Sequence, residues 1–171
     1  GAYETPFPGG RLRLNGRLLF DEFNYDEQEY RQVPTVAKAL DQWGQDTKEL
    51  ELGARDTRSF GADTSLETVL LQRNQKRHYG ETYREPGSTV LFTLDRKTGE
   101  SIARTVLKHR RSDRLSFEVG GEGAFNWMES QTDFVLDGVA QQLPAADVRV
   151  EEARGELFGK AAWRPVSPLT A

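Results

Sequence analysis

Apolar and polar residues alternate along Arg11-Leu12-Arg13-Leu14 and again from Arg17 to Phe23, with Asn15-Gly16 between them. Asn-Gly between alternating runs is the strongest short hairpin signal, because a type I′ turn needs two residues tolerant of positive φ. The pattern predicts strands at 11–14 and 17–23. Lys48–Leu52 alternates in the same way and stops at Gly53. Three further strands are predicted at 88–94, 101–107 and 114–119, rich in branched and aromatic residues. Asp95–Glu100 reads as the turn after the first of these, and Gly120-Gly121 as the end of the third. Val148–Val150 and Leu157–Trp163 are candidate last strands.

Two segments change period. Val36, Ala37, Leu40 and Trp43 recur at helical spacing, with Pro34 placed for a first turn and Gly44 for the cap. Phe134, Val135, Val139 and Leu143 form a second stripe, with Ser130 as N-cap, Asp133 as capping-box partner and Pro144 as the stop. Ser65–Leu71 fits a helix or a strand. Asp21–Glu29 is dense in acids and reads as an exposed loop, and 53–64 as turns. Together these predict an α+β fold: a mainly antiparallel β-sheet of meander and hairpins, about six to eight strands, with two or three helices packed on one face. Its expected core includes Leu18, Leu50, Leu70, Phe92, Phe117 and Phe134. Residues 1–10 read as a Pro/Gly-rich arm, 11–163 as one domain and 164–171 as a Pro-rich tail.

Composition narrows the chemistry. The 171 residues contain no Cys, which excludes a disulfide framework, a thiolate metal site and a Cys nucleophile. Metal-ligand spacing, a nucleophile elbow and a P-loop are absent from the sequence, so no metal or cofactor is expected. The net charge of −4 argues against a generic nucleic-acid binder. No run approaches the roughly 18 apolar residues of a helical membrane span, and no cationic-then-apolar leader opens the chain. A soluble chain without transmembrane segment or signal peptide is the expectation.

The charges are grouped. Arg73, Lys76, Arg77 and Arg84 form one basic cluster and Arg104, Lys108, Arg110, Arg111 and Arg114 another, against the acids of Asp21–Glu29. Such bipolarity suits self-association or protein partners, and Arg104–Arg114 suits an anionic partner. Phe7, Tyr25, Tyr30, Lys108, Arg110, Arg111 and Trp163 are the candidate interaction residues. His78 and Glu81 are the one candidate acid–base pair, weaker than the interaction reading. The run Leu94-Asp95-Arg96-Lys97-Thr98-Gly99-Glu100-Ser101-Ile102, followed by an amphipathic stripe, resembles small envelope lipoprotein domains of bacteria and subunits of phage particles over residues 88–143. The expected function is a non-enzymatic structural or protein-interaction subunit of an oligomeric assembly, such as a virion or phage particle or a bacterial envelope complex. The alternative is a small-ligand-binding or hydrolytic domain with a cleft near His78 and Glu81.

Overall fold

The computed structural model describes residues 1–32 and 36–164, with backbone alone for 31, 32 and 36. Its elements are β1 (Ala2–Phe7), β2 (Gly10–Gln32), β3 (Val36–Phe60), β4 (Thr64–Glu85), β5 (Ser88–Ser112), β6 (Leu115–Leu136), β7 (Val139–Gln141) and β8 (Asp147–Trp163). They form one antiparallel sheet in the order β1-β2-β3-β4-β5-β6-β7, with β8 also on β6. The antiparallel meander is as expected. The helices are not: among the described residues none occurs, and both helical stripes lie in strands. Val36–Trp43 begins β3, and 130–143 covers the end of β6, the next turn and β7. Pro34, the proposed first helical turn, and the tail from 165 onward lie outside the described residues.

β2 to β6 are 22–25 residues long, or roughly 75–80 Å at 3.3 Å per residue. The expected breaks fail because each is filled from across the ladder. Asn15-Gly16 runs straight through β2 opposite Gly53 and Leu52. A Cβ at Gly53 would meet the Asn15 side chain at 2.5 Å, so the asparagine occupies the space that glycine leaves. Gly99, read as a turn residue, is covered by the Trp127 indole, and Asp95–Glu100 continues β5. Asp21–Glu29 pairs residue by residue with β3. Gly120-Gly121 lies inside β6, beneath Phe158 and Leu157.

The real turns are few. Pro8-Gly9 joins β1 to β2, 61–63 joins β3 to β4, and Asp113-Arg114 joins β5 to β6. These close the lower end of the sheet. Pro86-Gly87 and Asp137-Gly138 close the upper end. Asp137 and Gly138 have φ of 52° and 80°, the positive pair that a type I′ turn demands. Residues 2–7, read as part of an arm, form an edge strand paired with β2.

The described residues form a single layer. The chain exposes 12692 Å², against about 8,500 Å² for a compact monomer of its mass. No large side chain among the described residues is fully buried. All the buried residues but one sit on one face: Ala39, Thr47, Glu49, Val106 and Ala124 share it by register, and Gly99, beneath the Trp127 indole, is buried on the other. Side chains crowd on the inside of a curve, so this is the concave face.

The other, convex face is apolar in the lower half of the sheet. Leu14, Leu18, Phe20, Leu50, Leu52, Leu70, Leu107, Val119 and Leu157 all lie there by register, each 37–90% exposed. Much of the expected core is therefore on the outside. Phe117, 44% exposed, is on this face too and packs in no core.

Candidate functional site

The two faces exchange character halfway up. In the lower half the concave face is charged and hydrogen-bonded. Glu49, with a side chain only 2% exposed, lies 2.7 Å from Arg73 and 3.8 Å from Arg17, and accepts a further bond from Gln75 at 2.9 Å. Arg104 and Arg154 flank Glu122 at 3.7 and 3.5 Å, and Lys108 meets Glu118 at 3.7 Å. The few polar side chains within the convex apolar band satisfy one another. Ser101 donates to Gln72 at 2.6 Å, Thr68 and Thr105 share a bond of 3.3 Å, Thr64 meets His109 at 2.9 Å, and Arg58 donates to Asp56 at 2.7 Å.

In the upper half the convex face is polar, and the concave face carries a shelf of rings across four strands. Trp43 stands 5.1 Å from Phe23, 5.5 Å from Tyr25 and 6.0 Å from Tyr79 between centroids, and Tyr79 stands 6.0 Å from Phe92. The order follows from register, since Tyr25 faces Trp43 and Trp43 faces Glu81, which faces Phe92. Below the shelf, Arg77 and Arg96 are direct cross-strand partners. Like charges so placed repel, and the buried Nε of each lacks a hydrogen-bond partner among the described residues. Above the shelf, Asp41 has one buried oxygen without a partner. Burial, then Glu81 and Glu27, raises its pKa from the ordinary 3.8. The Tyr79 hydroxyl donates to Glu81 at 2.7 Å. Burial first, then that bond and the charges of Glu81 and Asp41, push its pKa up to about 12. Rings that stack and guanidiniums that donate in a fork can hold a flat anionic solute.

The pleat separates several residues that looked grouped in sequence. His78 is convex and Glu81 concave, three residues apart on β4, so the sheet lies between them. His78 instead meets Asp95 at 3.0 Å on the exposed face. Arg73 and Arg77 are concave, and Lys76 and Arg84 convex. Among the interaction candidates, Tyr25 joins the ring shelf, whereas Tyr30 is convex and bonds Gln28 at 3.5 Å. Lys108 is paired with Glu118 and Arg110 with Asp63 at 3.0 Å. Arg111 falls at the irregularity between Arg110 and Ser112. Phe7 lies against Gly10 beneath the Arg58 guanidinium. Trp163 ends β8, 70% exposed. Sequence reading missed Glu49, Arg96 and the ring role of Trp43. Extending the period of two through 36–60 would have placed Trp43 and Glu49 on one face of β3, whereas Arg96 joins that face only through the register of β4 with β5.

No protein-family model and no curated protein matches this chain. Among solved structures, the crystal structure of the ferric yersiniabactin uptake receptor FyuA from Yersinia pestis is similar. The TM-score is 0.54 at 13% identity, over 94% of this chain and 24% of the receptor chain. The likeness is one of fold, and this chain spans about a quarter of the receptor's length.

Proposed function

We propose that this chain is a wall segment of a β-barrel that crosses a bacterial envelope membrane and lines a passage for solute. One observation carries the reading: an exposed apolar band on the convex face backed by paired charges on the concave face. Gly10–Phe20 spans the band on β2. Its length fits the roughly 9–11 residues of a tilted strand crossing the hydrocarbon, and apolar-out, polar-in alternation is the pattern of barrel walls. No helix among the described residues is long and apolar enough to cross a membrane. That bears on helices alone, because strands cross with every second residue apolar. The outer edges of β1 and β8 carry no partner strand among the described residues. Open edges are not tolerated in hydrocarbon, so further strands would complete the wall. The similar fold of an uptake receptor supports capture of a solute on the ring shelf, above the membrane.

Cysteine labelling tests the reading without preparation, since the chain has none of its own. Single cysteines at Leu50, Leu52 and Leu70 are expected to resist a membrane-impermeant maleimide in reconstituted bilayers, and cysteines at Glu51, Arg55 and Arg73 to react. Equal reactivity of the two sets would sink the barrel wall.

A further inference from the structure

Where the convex band gives way to the polar half, one row across the sheet reads Phe20, Lys48, Lys76, Lys97, Glu129, Arg149. Three lysines are thus direct cross-strand neighbours, with Cβ atoms about 5 Å apart. Such a run is unfavourable by itself, and within the row only Glu129, opposite Lys97, bears the opposite charge beside it. Among the described residues no ion pair reaches Lys48, Lys76 or Lys97, although Glu129 is taken by Arg149 at 3.0 Å and Asp95 by His78 at 3.0 Å. A cleft of about 500 Å³ opens beside the row, holding Lys76, Lys97 and Arg149 together with Asp95, Glu129 and Asp147.

We infer that this row binds the phosphate of an anionic lipid whose acyl chains lie on the band beneath, an assignment that rests on the barrel-wall reading. The adjoining rows fix the depth. Directly below lie Leu18, Leu50, Asn74, Gly99, Trp127 and Glu151, apolar except for Asn74, bonded to Gln72, and Glu151, paired with Arg149, with the Trp127 indole over Gly99 at the border, where rings sit in barrel walls. Directly above lie Glu22, Asp46, His78, Asp95, Gln131 and Asp147, a row with four acids, which repel a phosphate. An anion with a hydrocarbon tail is therefore favoured at the lysines and disfavoured one row higher. Lysines with long apolar stems are suited to that boundary, and each basic residue near an anionic membrane surface contributes appreciable attraction.

Trp127 stands one row from the lysines and can report the lipid. In the full chain carrying Trp43→Phe and Trp163→Phe, its fluorescence is measured in vesicles containing brominated phosphatidic acid or brominated phosphatidylcholine. The expected result is quenching at least about threefold more effective, mole for mole, by the phosphatidic acid. Lys48→Gln, Lys76→Gln and Lys97→Gln together should erase that preference and leave phosphatidylcholine quenching unchanged. Lys38→Gln, Lys108→Gln and Lys160→Gln together remove the same charge elsewhere and should leave the preference intact. Equal quenching by the two lipids, or loss of preference in both triple variants, overturns the lipid site and leaves the barrel wall standing. Loss of preference on adding inorganic phosphate marks a site for free phosphate and overturns the lipid assignment. Absence of quenching by either lipid overturns the barrel wall itself.

Discussion

The lower and upper halves of the sheet share strands, register and composition classes, yet they are built inside out relative to each other. Below the Lys48–Lys76–Lys97 row, the outward face is mainly apolar and the inward face carries most of the charges, alongside Val69, Leu71, Ile102 and Val106. Above it, acids and amides point outward and rings inward. Among the described residues neither half contains a packed core, and the surroundings of each face differ. The lower convex face fits hydrocarbon, because its polar side chains are bonded to one another. The upper convex face, with Glu22, Asp26, Asp46 and Asp95 along it, fits water. The upper concave face holds three buried side-chain atoms that lack a hydrogen-bond partner among the described residues, on Asp41, Arg77 and Arg96, and a binding site is a place where unpaired donors and acceptors persist.

The sharpest break of this comparison is a charge on the lower convex face. Leu52→Arg, near the middle of the band, should cost about 2–4 kcal/mol in refolding into bilayers, the range for a barrel wall at mid-depth. The same substitution at Asp46, in the upper half, should cost less than about 0.5 kcal/mol. Equal costs would erase the distinction. Next comes the lower concave face. Glu49→Ala strands Arg73 beside a hole and should cost about 1–3 kcal/mol, whereas Arg110→Ala, in an exposed pair with Asp63, should cost at most about 1 kcal/mol. Denaturant titrations in the same lipid compare the two.

The upper concave face is read by titration. Absorbance at alkaline pH should show one phenol ionising near pH 12, lost in Tyr79→Phe. Glu81→Gln should lower that pKa, because it removes a charge that opposes ionisation. The smallest effect is at Asp41. Its folded pKa is raised, so its contribution to stability is complete below the ordinary 3.8 and is lost as pH rises through the folded value. Asp41→Asn should flatten stability across that window and raise it at pH 7 by less than about 1 kcal/mol. A drop at pH 7 would mean that Asp41 holds a partner.

The helix expected at 130–143 fails for an instructive reason. Phe134 and Leu136 are concave and Val135 convex, so both faces of that stretch carry apolar residues. A strand with two apolar sides loses its period of two, and Phe134, Val135 and Val139 then fall at helical intervals. The Asn15-Gly16 signal fails for a second reason, since a turn dipeptide bends the chain only if no partner holds it straight. Asp137-Gly138 does make a positive-φ turn, where β6 runs out of ladder and reverses into β7. The acid–base pair drawn from His78 and Glu81 fails because three residues along a strand is an odd step.

The sequence alone determined the antiparallel sheet, the branched and aromatic strands of the middle and the absence of thiol chemistry, because these depend on residue type and local alternation. Tertiary structure decided strand length, the faces and the site. Those depend on what stands opposite each residue across the ladder. Asn15 over Gly53, Trp127 over Gly99 and the unpaired row of Lys48, Lys76 and Lys97 are each made of cross-strand neighbours 21 to 38 residues apart in the chain, and only pairing brings them to within one strand spacing.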